Sequence, residues 1–170
     1  PICHNMPEIR AALRAGHRSW HRFPYYEWRY GVRGRRFTRS DSAWLVLMVQ
    51  QPWERVARQV GWLGRVLAAR GMPRWLLEAH LSVLHEELKT LLPERGEDFA
   101  LLERAAQHLA EQRLAVLEED RFWELAADFQ VAVGPAWSER LPEGGALIVG
   151  AVVDEHLGVD EAAAATVSWL

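Results

Sequence analysis

The sequence predicts an all-α fold: a single domain over residues 1–170, built as a helical bundle of about six to eight helices, with globin-like packing as one arrangement open to it. An irregular arm rich in arginine and aromatic residues is expected at its N-terminal side. Three observations predict this class. Apolar residues recur at spacings of three and four along most of the chain, and proline or glycine falls near the ends of most such runs. Hydrophobic residues make up 49% and charged residues 25%, which is ample material for one core. Almost no stretch reads as a strand.

Taken in order, Pro7 followed by EIRAALRAG reads as a helix opened by proline. Either Gly16 stops it, or it continues and places Ile9, Leu13, His17 and Trp20 on one face, pointing His17 inward. From Phe23 to Phe37 no single period holds, and Pro24, Gly31 and Gly34 interrupt, so a structured loop with about one helical turn is expected. Thr38 with Asp41 three residues later resembles a capping box, opening a buried helix through AWLVLMV. Pro52 opens a helix striped with Trp53, Val56, Val60, Leu63 and Leu67, which Gly71 closes. The next helix carries Leu77, Leu81, Leu84, Leu88 and Leu91 and ends at Pro93. Residues 99–129 read as one long helix, or as two with a break near Glu118 to Asp120. Residues 130–145 are expected to form a loop. GALIVGAVVDEHLG is a helix whose β-branched content leaves a strand open, and Asp160 is placed to cap a last alanine-rich helix.

Net charge is only −3, which argues against a nucleic-acid binder, but the charge is unevenly placed. Residues 1–40 hold nine Arg against Glu8 and Glu27, for +7; residues 41–170 hold eleven Lys and Arg against twenty-one acids, for −10. A basic N-terminal segment packed over an acidic helical body is one reading, and a positive face for an anionic partner is the other. Within that segment Arg29, Arg33, Arg35, Arg36 and Arg39 are the candidates for contact with an anion or a partner. Phe23, Trp28 and Phe37 are expected to anchor it on the helices. The only cysteine, Cys3, permits no intrachain disulfide and leaves a reducing cytoplasm as the expected compartment. The apolar runs at 43–49 and 146–153 are too short to span a bilayer, and the N-terminus lacks the apolar core of a signal peptide.

Two features suggest a pocket. A line of small residues, Ala57, Gly61, Gly64 and Ala68, runs beside the apolar stripe, and glycine costs roughly 1 kcal/mol against alanine inside a helix. Close approach of another helix or of a flat ligand offsets that cost. Nine tryptophans in 170 residues, each pairing a large apolar area with one N–H, are expected at a core boundary, an interface or a pocket wall. The pocket candidates are therefore Gly61, Trp62, Gly64, Trp75 and His80.

For metals, His17 and His21 stand four apart, which puts both imidazoles on one face of a continuous helix. HRSWH lacks the intervening glutamate of a zinc protease. His80 and His85 fall about 60° and 80° to opposite sides of the leucine stripe and so diverge. His108 with Glu111, and Asp154 to His156, add two further clusters whose convergence only a fold can decide. Cys3 beside His4 is a thiol–imidazole pair. The chain carries no nucleophile elbow, phosphate loop or dinucleotide fingerprint.

The run from Val56 to Leu92, a helix, the turn RGMP and a second helix, resembles the F-to-G helix region of bacterial sensor globins. Aligned on WLGRVLAARGMP, the position of that family's haem-ligating histidine is Leu67 here, and the match covers under a quarter of the chain. The resemblance thus stops short of the haem chemistry.

Three functions remain, ordered by support. The first is a non-enzymatic regulatory or sensory helical domain that binds a partner protein, a second copy included, or a small hydrophobic ligand. The second is a metal- or tetrapyrrole-binding protein, with enzymatic activity open to it. The third is nucleic-acid binding through the basic arm, which the acidic remainder disfavours.

Overall fold

A computed structural model describes residues 5–168 and is all-α, with nine α-helices, one 3-10 helix and no strand among the described residues. The Cys3 and His4 pair lies outside the described residues. No helix among them is long and apolar enough to cross a membrane.

Helix α1, Met6–Arg22, has Pro7 and Glu8 in its first turn and runs unbroken through Gly16. Its buried side is Glu8, Ala11, Ala12, Ala15, Gly16 and Ser19. That corrects the expected inward stripe, because Leu13 and His17 are exposed. The small residues win this face since they admit a close neighbour: a methyl on Gly16 would lie 3.3 Å from Thr38 Cγ2 of the next helix.

Helix α2, Tyr25–Met48, occupies the segment expected to be an irregular loop. Its start is fixed by rings: Tyr26 stacks on Trp20 at 5.5 Å, and Tyr25 meets Tyr26 and Tyr30 edge-on. At Gly31 the backbone turns to φ 48, ψ −145, a conformation that glycine reaches without a Cβ penalty. The break resets the helical phase between Tyr30 and Val32, which is why no single period is visible across the segment. Thr38 is therefore internal rather than a cap, and its Oγ1 accepts from Trp20 Nε1 at 3.0 Å.

The remaining elements are α3 (Trp53–Ala68), α4 (Arg74–Leu91), a 3-10 helix (Pro93–Phe99), α5 (Ala100–Leu114), α6 (Glu119–Val133), α7 (Pro135–Arg140), α8 (Gly144–His156) and α9 (Ala162–Val167). The break after α5 falls beside the expected one. The expected loop at 130–145 is corrected: α6 continues to Val133, and Pro135 starts the short α7 after Gly134 turns the chain at φ 83. Glu161, not Asp160, stands at the N-cap position of α9.

The chain divides into two compact units: residues up to Gln59 with Glu78–Gln107, and Val60–Leu77 with residues from His108 onward. The first unit buries Tyr25, Leu45, Val46, Leu81, Leu84, Leu88, Phe99 and Leu102. The second buries Val60, Leu63, Leu76, Phe122, Leu147, Ala151 and Ala162. In the second unit α8 crosses α6 backbone to backbone: a Cβ on Gly145 would sit 2.0 Å from the Ala126 carbonyl oxygen. Gln130 Oε1 accepts from the Gly145 N–H at 2.8 Å and so satisfies a donor at that helix start.

Candidate functional site

Along the outer side of α2 the expected anchoring fails for two of its three aromatic residues. Phe23 is buried, but Trp28 is 46% and Phe37 55% exposed, and Val32 between them is 70% exposed. After the break at Gly31, Val32, Arg33, Arg36, Phe37 and Ser40 follow one another at helical spacing on the side away from the buried Ser42, Leu45 and Val46. The reason lies in the reset phase, which assigns the inward side to Gly34, Thr38 and Ser42 and turns the apolar residues out. Arg33 lies over the Phe37 ring at 5.8 Å and Arg29 over Tyr30 at 5.8 Å. Arg35 is committed to Glu27, its Nε 2.9 Å from Oε2, and also lies over Trp20. Arg33, Arg36 and Arg39 are exposed and make no ion pair among the described residues. The result is a helix face on which large apolar groups alternate with uncommitted cations.

Also in the first unit, α1 and α4 border an open cleft of about 420 Å³ lined by His17, Arg18, Ser19, His21, Arg22, Phe23, Ala79 and Val83. His17 and His21 lie on one exposed side of the continuous helix, so the spacing condition for a two-imidazole ligand set is met. No group of three His, Cys, Asp or Glu side chains placed to hold a metal ion exists among the described residues. Arg18 reaches Glu86 at 2.8 Å and Glu87 at 3.0 Å, and Arg14 reaches the same buried Glu87 at 2.8 Å.

Behind Ser19 sits His80, buried between three helices. Its Nδ1 is 2.9 Å from Ser19 Oγ on α1 and its Nε2 is 2.9 Å from Ser42 Oγ on α2. Ser42 donates its own proton to the Thr38 carbonyl at 2.6 Å, so it must accept from Nε2–H. Nδ1 then accepts from the Ser19 hydroxyl, and the ring is neutral with both nitrogens satisfied. Burial among groups that carry no charge lowers its pKa to about 4. His85, on the other side of α4, faces Glu103 at 3.7 Å, so the two imidazoles diverge as their spacing requires.

In the second unit a different polar centre forms. Arg74 donates from Nε to Asp154 Oδ1 at 2.7 Å and from its backbone N to Oδ2 at 2.8 Å. Its Nη1 donates to Gln112 at 3.1 Å, and Gln112 Nε2 lies 3.0 Å from His108 Nε2. Burial pushes the Asp154 carboxyl above its ordinary value, while the bonds from Arg74 act in the opposite direction. His108 and Asp154 are thus linked through Arg74 and Gln112, two residues that carry no motif, while Glu111 and Glu155 of the same two clusters are exposed. His156 is exposed and turned to the Val152 carbonyl.

The pocket candidates do not share one lining. Trp62 is exposed, and a methyl on Gly61 would meet nothing within 4 Å. Gly64 makes room for the stem of Arg74, whose Cγ and Cδ would lie 3.0 Å from a Cβ there. Trp75 is buried against Phe122 and Trp123 at 6.1 and 5.9 Å. These four belong to the second unit and His80 to the first.

No protein-family model, no curated protein and no solved structure matches the chain.

Proposed function

We propose that this chain is a non-enzymatic helical domain of regulatory type that docks an acidic protein partner on the outer face of α2. The observation behind the reading is the face after Gly31 on which exposed Val32 and Phe37 alternate with Arg33 and Arg36, with Arg39 beside it and Trp28 exposed ahead of the break. Tryptophan and arginine are the side chains most enriched where binding energy concentrates, and contiguous exposed apolar groups mark interaction surfaces. The cations select for acid, and the apolar rings favour a folded or helical partner over a phosphate backbone. The acidic remainder of the chain repels nucleic acid, which is the other anionic occupant of such a face. A cytoplasmic location belongs to this reading through the single cysteine.

A fluorescently labelled poly-glutamate peptide tests it, read by anisotropy against a labelled single-stranded oligonucleotide of equal charge. The peptide is expected to bind, to weaken about tenfold or more in Arg33→Glu/Arg36→Glu, and to weaken with salt. Tighter binding of the oligonucleotide, or peptide binding indifferent to those substitutions, contradicts the reading.

A second reading draws on the α1–α4 cleft, whose lining includes His17, His21 and Arg22 beside Arg18, itself held by Glu86 and Glu87. A metal ion, or a tetrapyrrole or other small ligand with acidic groups held in a globin-like arrangement, has its donors there. Metal analysis and an absorption spectrum of the purified protein decide it: signals that vanish in His17→Ala/His21→Ala support the cleft, and unchanged signals exclude it.

A further inference from the structure

We infer that the acidic partner is a second copy of this chain, whose α6 receives the outer face of α2. The inference rests on the docking role just given to α2. Helix α6 carries the complementary pattern in charge and in shape. Asp120, Trp123, Glu124, Ala127, Asp128 and Val131 follow one another on its exposed side, opposite the buried Phe122 and Ala126. Trp123 is 40% and Val131 82% exposed. The stretch 118–131 holds Glu118, Glu119, Asp120, Glu124 and Asp128 against Arg121, for −4; the stretch 25–40 holds Arg29, Arg33, Arg35, Arg36 and Arg39 against Glu27, for +4.

Much of that charge is uncommitted within the chain. Arg121 is paired with Glu124 at 3.0 Å, and Glu119 is taken by Arg113 and Trp123. Asp120 and Asp128 make no ion pair among the described residues, and neither do Arg33, Arg36 and Arg39. The apolar anchor on α6 is also held in place before any partner arrives. The Trp123 ring packs edge-on against Phe122 at 5.2 Å and Trp75 at 5.9 Å, and its Nε1 donates to Glu119 at 2.7 Å. A ring so restrained loses little freedom on binding.

The two faces are different surfaces: two copies that exchange them reciprocally close a dimer, and copies that join α2 to α6 once each continue to a ring or an open chain. Two or three turns of helix on each side bury less than a standard interface, so the contact is weak and depends on concentration and salt.

Charge reversal on one face at a time tests this by sedimentation velocity. Wild-type protein is expected to form a dimer or larger species at about 500 µM and low salt, and to dissociate in roughly 0.5 M salt. Arg33→Glu/Arg36→Glu and Asp120→Lys/Asp128→Lys are each expected to be monomeric alone. Mixed together they are complementary twice, intact α2 with intact α6 and reversed face with reversed face, and the expected product is association regained in 1:1 stoichiometry. All four positions are exposed, so the far-ultraviolet circular dichroism of both variants is expected to match wild type and serves as the folding control. A wild type that stays monomeric, or a mixture that stays monomeric, overturns the self-association. If the poly-glutamate peptide still binds α2 in that case, the docking role of α2 survives and its partner is another acidic protein; if neither binds, both readings fall together.

Discussion

Each unit buries a polar centre around one residue of α4, and the two centres are built in opposite ways. In the first, His80 is held neutral by two serine hydroxyls, with no formal charge among its hydrogen-bond partners. In the second, Arg74 and Asp154 form a charged pair extended by Gln112 and His108. Each centre bonds three helices, so the difference lies in what happens when one member is lost. A neutral centre forfeits hydrogen bonds; a charged one strands an ion in a low dielectric.

Substitutions that separate these two outcomes are ordered by the size of that penalty. Asp154→Ala leaves the Arg74 guanidinium buried and unpaired, and is expected to cost about 3–5 kcal/mol in urea unfolding. Removing both charges in Arg74→Met/Asp154→Leu is expected to recover most of that loss; a double variant as unstable as the single one contradicts the assignment. Gly145→Ala forces a methyl into the Ala126 carbonyl and is expected to cost about 1–3 kcal/mol.

The neutral centre shows itself through pH. Unfolded histidine takes up its proton near 6.5 and His80 in the fold near 4, so the unfolded chain is protonated first as pH falls. Its contribution is complete above 6.5, declines between 6.5 and 4, and amounts to about 3 kcal/mol lost below that window. Replacing the imidazole by an amide in His80→Gln is expected to remove this slope from the stability profile relative to wild type. A difference profile that stays flat contradicts a buried neutral imidazole. Smallest among the buried changes is Ser42→Ala, at about 1–2 kcal/mol, since it deletes the hydroxyl's bonds to the Thr38 carbonyl and His80 and leaves Nε2–H unsatisfied.

The helical class and most helix boundaries were legible because proline, glycine and leucine spacing carry them directly. Leu77, Leu81, Leu84 and Leu88 are buried as their stripe requires, and His80 and His85 diverge as their angles require. What stayed hidden has physical causes. Gly31 kinks the chain inside α2, so two helical segments of different phase follow one another and read as a loop. The same shift makes Trp28 and Phe37 look like anchors when they face outward. Arg74, Gln112, Ser19 and Ser42 are ordinary residue types at no special spacing, and only the crossing of helices gives them partners. The charge asymmetry was visible in the sequence; its placement on the outer faces of α2 and α6 was not, because a sum over residues carries no direction.

Those outer faces also differ from the two buried centres in what mutation reports. Exposed Arg33, Arg36, Asp120 and Asp128 are expected to change stability by less than about 0.5 kcal/mol when reversed, while changing association by an order of magnitude.

The docking role of α2 is tested most directly by hydrogen exchange of the wild-type protein with and without the poly-glutamate peptide. Added protection confined to amides between Trp28 and Arg39 is the predicted result. Protection that appears elsewhere and leaves α2 exchanging at its free rate would contradict it.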